Sequence, residues 1–163
     1  VLAGLMLLGL AVGPALAGAL PAPKGKVILR IEGNIAQRNA PDAAEFDAEM
    51  LESLGLVELV TRTPWTEGEV RFSGVSPKAL LAAVGATGSA VDAIALNDYR
   101  VEIPMQDIET LGPLLATRID GRPMRVRDKG PLWFIYPWSQ RPDLDTIEYQ
   151  SRSIWQIKTL VVR

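Results

Sequence analysis

Two absences limit the chemistry open to this chain. Among its 163 residues there is no cysteine and no histidine. A thiolate nucleophile, a Ser-His-Asp triad, a histidine general base and any His- or Cys-ligated metal are therefore excluded. Carboxylates, Lys, Arg, Tyr, Ser and Thr remain, and they gather in three places. The first is a basic run, Arg118, Arg122, Arg125, Arg127 and Lys129, offset by Asp120 and Asp128. Such a run could rim an anionic ligand, a headgroup or a partner. Its plainer reading is the solvent face of a strand whose other face carries Met124 and Val126. The second is Asn97-Asp98-Tyr99-Arg100, where Asn and Asp suit a tight turn. The third is "SQRPDLDTIEYQSRS", with Arg141, Asp143, Asp145, Glu148, Tyr149 and Arg152. It is long and polar for a connection, and reads as a lid or partner-binding loop whose candidate contacts are Arg141, Tyr149 and Arg152.

Other candidates read as structure. Glu45, Asp47, Glu49 and Glu52 fit a solvated helix face and match no calcium loop. "GATGSA" lacks the Lys-Ser/Thr ending of a phosphate loop. Trp65, Trp133, Trp138 and Trp155 read as core and turn packing.

The elements that must position these groups are short. "KVILRIEG" (26–33) alternates polar and apolar residues and predicts an edge-like strand. A helix is predicted from Asp47, an N-cap, to Gly55, and a second from Ser76 through Pro77 to Gly85. Strands are predicted at 56–63, 69–75, on both sides of Asn97-Asp98, at 123–128 and across "LWFIY". The apolar "SIWQIKTLVV" (153–162) is predicted as a final, central strand. About eight strands and two or three helices in mixed order indicate a strand-rich α+β fold, without the βαβα alternation of a Rossmann sheet.

Composition sets the class. At 48% hydrophobic and 22% charged, the chain can form one domain with a proper core. A net charge of −2 argues against nucleic acid as a partner. Residues 1–23 carry no charge and end in small residues. They read as a secretory signal cleaved after Ala17 or Ala19, or alternatively as a membrane anchor. Residues 24–163 then form a single periplasmic or secreted domain, which without cysteine has no disulfides.

Five pieces carry a resemblance: "TPW" with "FSGVSPKALLAAVGA", "AIALNDYRVEIPMQDI", "PLLATRIDGRPM", "KGPLWFIYPW" and "SIWQIKTLVV". In order and spacing they resemble the molybdopterin-binding domain of the sulfite oxidase family of oxidoreductases, over nearly all of 26–163. The resemblance implies layered sheets and a pterin-side turn at Asp128, Lys129, Gly130 and Pro131. It places further pocket residues at Thr61, Thr63, Tyr99, Arg100 and Lys158. Two departures stand out. The family's metal-binding cysteine falls near Thr61 and Thr63, and a hydroxyl cannot replace a soft thiolate. The family's cofactor-facing arginine falls at Trp133, where an indole favours stacking or core filling over phosphate pairing.

Molybdopterin therefore enters through the resemblance alone, and the residues themselves call for no metal or cofactor. The expectation is an exported, non-catalytic member of the fold that binds a small anionic ligand or a periplasmic or inner-membrane protein partner. Two alternatives stay open: a molybdopterin-dependent oxidoreductase with non-cysteine metal ligation, and a structural envelope protein.

Overall fold

The computed structural model describes residues 19–163, so most of the predicted signal or anchor segment lies outside the described residues. Among the described residues no helix is long and apolar enough to cross a membrane.

The fold is mixed α+β and strand-rich, built on two five-stranded sheets. In the first, β1 (Leu29–Gly33), β2 (Ala43–Phe46), β5 (Ala90–Ala95), β6 (Arg100–Pro104) and β10 (Ile157–Val162) follow the order β2-β1-β10-β5-β6. The second holds β3 (Val57–Arg62), β4 (Glu69–Val75), β7 (Leu114–Ile119) and β8 (Arg122–Pro123), and β9 (Trp133–Ile135) pairs with β7 beside β8. The predicted central strand is confirmed: β10 is the middle strand of its sheet, parallel to β1 and antiparallel to β5. Its apolar run suits a strand with neighbours on both edges.

Four helices complete the described residues: α1 (Ala48–Glu52), α2 (Pro77–Ala83), α3 (Met105–Thr110) and α4 (Ile147–Arg152). The Asp47 carboxylate caps α1 through Met50 N at 2.8 Å and also accepts from Lys24 N and Gly25 N. These backbone donors hold it below the usual carboxylate range. Ser76 caps α2, with Pro77 in the first turn, as its sequence signals require. One core unites the layers. Around a small internal void, Leu80 and Leu81 of α2 and Ile108 of α3 meet Val91 and Leu160 of one sheet and Leu115 and Phe134 of the other.

Strand β9 joins the two sheets. It pairs with β7 on one side, while Phe134 N donates to Ile154 O (2.9 Å) and Ile157 N donates to Leu132 O (3.2 Å). Those bonds tie it to the segment entering β10. The Gly130-Pro131 turn, a cis peptide, delivers the chain into β9. Only glycine fits at position 130, because a Cβ there would lie 2.2 Å from Met124 O.

Five local expectations are corrected. Strand β1 is interior, because β2 follows a left-handed turn at Asp42 and pairs along its outer edge. Glu45 consequently belongs to β2, where it accepts from Arg30 at 2.8 Å. The predicted strand at 123–128 stops at Pro123 and becomes a 3-10 turn over Val126–Asp128. Asp128 N donates to Arg125 O, the two side chains pair at 2.7 Å, and Lys129 turns left-handed at φ 71°. Val126 is thereby exposed rather than buried opposite the arginines. The final strand starts at Ile157, because Gln156 takes φ 54° and breaks the ladder. The polar connection 139–153 is no bare loop; it contains a 3-10 turn at Pro142–Leu144 and helix α4.

Candidate functional site: an aromatic cleft beside helix α4

The aromatic stretch of β9 divides by strand alternation. On one side, the buried Trp133 stacks edge-on with Phe72 (5.5 Å) and Trp155 (6.2 Å). On the other, Phe134 meets Tyr136 at 5.4 Å, and Tyr136 meets Tyr149 of α4 at 5.2 Å. Trp133 Nε1 donates to Ser153 O and Ser153 Oγ, and Trp138 Nε1 donates to Leu144 O. Both indoles are fully satisfied inside the core. Trp133 fills the core, one of the two outcomes its sequence position suggested.

Trp65 and Trp155 behave differently. Thr63 and Thr66 exchange hydroxyl and backbone bonds, and Trp65 N donates to Thr63 Oγ1. This turn holds the Trp65 ring 5.3 Å from Trp155 and 6.0 Å from both Trp133 and Trp138. Trp65 and Trp155 are half-buried and form walls of a cleft of about 400 Å³. Tyr99, Ile147, Ile154 and Ala95 supply its other apolar surface, while Asn97, Gln150, Ser151 and Ser153 supply its polar groups. No charged side chain is among these lining residues.

Long-range contacts hold the cleft together. Asp107, buried on α3, accepts from Tyr136 OH at 2.8 Å and from Arg152 Nη1 at 3.0 Å. Arg152 also reaches Glu148 at 2.7 Å and lies over the Tyr149 ring. This network seats α4, and with it the Ile147 and Gln150 side of the cleft. Burial, followed by the bond to Asp107, raises the Tyr136 phenol well above its ordinary range. Across the cleft, Tyr99 OH donates to Ser151 O at 3.3 Å. Lys158 Nζ meets Asp98 Oδ1 at 2.6 Å and holds that carboxylate below its usual range. Asn97 Oδ1 is occupied by Tyr99 N, and Gln150 Nε2 by Asp145. Asn97 Nδ2 and Gln150 Oε1 have no protein partner among the described residues, which leaves one donor and one acceptor for a ligand.

The sequence candidates fall into three groups. Tyr99 lines the cleft, and Lys129 rests its Nζ 4.1 Å from the centroid of the Trp155 wall. Thr63, Lys158, Tyr149 and Arg152 position cleft elements. Thr61, Arg100, Asp128, Gly130, Trp133 and Arg141 lie outside it. Thr61 Oγ1 is buried, accepts from Ser139 N and donates to Arg62 O. Arg100 pairs with Asp92, Asp128 with Arg125, and Arg141 with Asp143. Sequence reasoning missed Trp65, Trp155, Gln150 and Ile147 as a group, and no local signal joins them. It also missed Asp107, whose role comes from partners 29 and 45 positions away.

The residues present do not fit a thiolate-held molybdenum. The chain has no cysteine, and Thr61, near the family's ligand position, has its hydroxyl spent on Ser139 and Arg62. No protein-family model matches the chain, and no curated protein matches it.

Proposed function

We propose that this chain is an exported, non-catalytic binding domain of the sulfite oxidase-type molybdopterin-binding fold. Its cleft between α4, the β5–β6 turn and Trp65 takes a small planar ligand. The observation that carries this reading is the cleft itself: three aromatic side chains, an unshared amide donor and acceptor, no charged side chain, and hydroxyls on Tyr99, Ser151 and Ser153 that each donate to a backbone carbonyl. Such a site can stack and orient a ring, and none of its hydroxyls is paired with a side-chain base that would activate it. An uncharged lining selects an apolar or amide-bearing ring body. The anionic part of a ligand would then lie at the rim beside Lys129, where a cation already rests on Trp155.

Two-sheet layering and the β9 bridge support the fold assignment. The missing thiolate and the engaged Thr61 hydroxyl support the loss of the metal. The direct test is to express the chain in a host that makes molybdenum cofactor and measure metal and pterin in the purified protein. The proposal expects molybdenum far below one per chain, and quenching of tryptophan emission on titration with pterin-6-carboxylate. One molybdenum per chain would overturn the non-catalytic reading and favour the oxidoreductase.

A further inference from the structure

We infer that the face carrying the cleft mouth docks on an anionic lipid surface. Four exposed apolar residues belong to the segments that meet around the cleft mouth: Leu96 (44% exposed), Tyr99 (47%), Val126 (52%) and Ile147 (82%). Hydrogen bonds establish the adjacency of two of these segments. Gln156 Nε2 donates to Val126 O at 2.7 Å, and Gln156 O accepts from Leu96 N at 2.8 Å. Gln156 therefore ties the 3-10 turn to the β5–β6 turn. Leu96 lies between Ala95 and Asn97, both cleft residues, and Tyr99 and Ile147 line the same cleft.

The charge around Val126 selects the surface. Between Asp120 and Gly130 there are four cations, Arg122, Arg125, Arg127 and Lys129, against two carboxylates, Asp120 and Asp128, in a chain whose net charge is −2. All three arginines are exposed, and Arg122 and Lys129 have no acidic partner among the described residues. The 3-10 turn pushes Val126 outward between Arg125 and Arg127, so an apolar tip is flanked by guanidinium groups. Guanidinium groups pair with lipid phosphates while isolated apolar tips and aromatic rings enter the headgroup boundary. The apolar groups are spaced singly rather than fused into one patch. That spacing suits a fluid headgroup layer better than the packed centre of a protein interface. The assignment does not depend on what the cleft holds.

The test is co-sedimentation of the full chain with vesicles of phosphatidylcholine alone and of phosphatidylcholine with phosphatidylglycerol. Residues 1–23 carry no charged side chain, so any binding they add should not distinguish the two vesicle types. The increment on phosphatidylglycerol therefore reads the basic face. The expected result is a clear increment that salt abolishes, reduced about tenfold in the R125Q/R127Q variant. Val126→Asp should also reduce it, whereas Leu56→Asp, at the exposed residue that precedes β3 and takes no part in the cleft lining, should not. Equal binding to both vesicle types overturns the inference, as does an increment indifferent to R125Q/R127Q. Loss of a cross-linked envelope protein in these variants, without phosphatidylglycerol selectivity, also overturns it and assigns the face to a protein. Matching urea midpoints show that the variants are folded.

Discussion

Replacing Arg152 with methionine should unseat helix α4, and the size of the effect follows from its surroundings. The Arg152 side chain is 18% exposed and Asp107 10%, so the pair sits largely out of water at 3.0 Å. Methionine keeps the aliphatic stem that packs near Tyr149, so the change isolates the charge. It leaves the Asp107 carboxylate with one remaining donor, Tyr136 OH. Removing one partner of a buried ion pair costs about 3–5 kcal/mol. The surviving phenol bond and residual solvent place this site near the lower end, about 3 kcal/mol. At a denaturant slope of about 2 kcal/mol per molar, the urea midpoint should fall by about 1.5 M. Asp107→Asn should cost about 2 kcal/mol, since Arg152 keeps Glu148 and the amide still accepts from Tyr136. The double variant should cost far less than the sum, with a coupling of about 2 kcal/mol, because neither charge is left alone. Urea unfolding of the four proteins measures all of this. Additive single effects, or a midpoint shift below about 0.3 M for Arg152→Met, would refute the idea that this pair seats α4.

Gly130→Ala places a methyl 2.2 Å from Met124 O, a backbone atom that cannot swing aside. It should cost about 4 kcal/mol or abolish folding, whereas Gly121→Ala, with open space and φ 75°, should cost about 1 kcal/mol by thermal melting. The raised Tyr136 phenol sets an alkaline limit. A group whose folded pKa is raised contributes stability that is whole below its unfolded value, about 10, and lost as pH climbs above it. Tyr136→Phe should therefore flatten the fall of the urea midpoint above about pH 10, at the cost of about 1 kcal/mol at neutral pH. An unchanged alkaline slope would show that the Tyr136 proton does not limit stability there.

Local signals made part of this molecule legible in its sequence. Ser76, Pro77 and Gly85 bracket α2 because capping is decided within one turn of chain. The apolar run of β10 announced a strand with partners on both edges. Alternation misled at 123–128, where the Arg125–Asp128 bond and a left-handed Lys129 wind a turn that exposes Val126. Helix α4 was invisible for a different reason. Thr146 makes no capping bond, Ile147 faces solvent, and the helix is seated by Asp107 from 45 positions away. The cleft was equally hidden. Its walls come from Trp65, the β5–β6 turn and 147–155, and only the fold brings those segments together. Four tryptophans of one type separate into two core residues and two cleft walls through burial, a property of the folded state.

That division supplies the most direct measurement. The four indole N–H groups give four proton–nitrogen correlation signals. Trp133 and Trp138 are hydrogen-bonded in the core to Ser153 and Leu144, while Trp65 and Trp155 line the cleft. On titration with pterin-6-carboxylate, the Trp65 and Trp155 signals should shift together and saturate, with those of Trp133 and Trp138 nearly still. Four signals unmoved at saturating probe, or four moving equally, would contradict a planar-ligand site in this cleft.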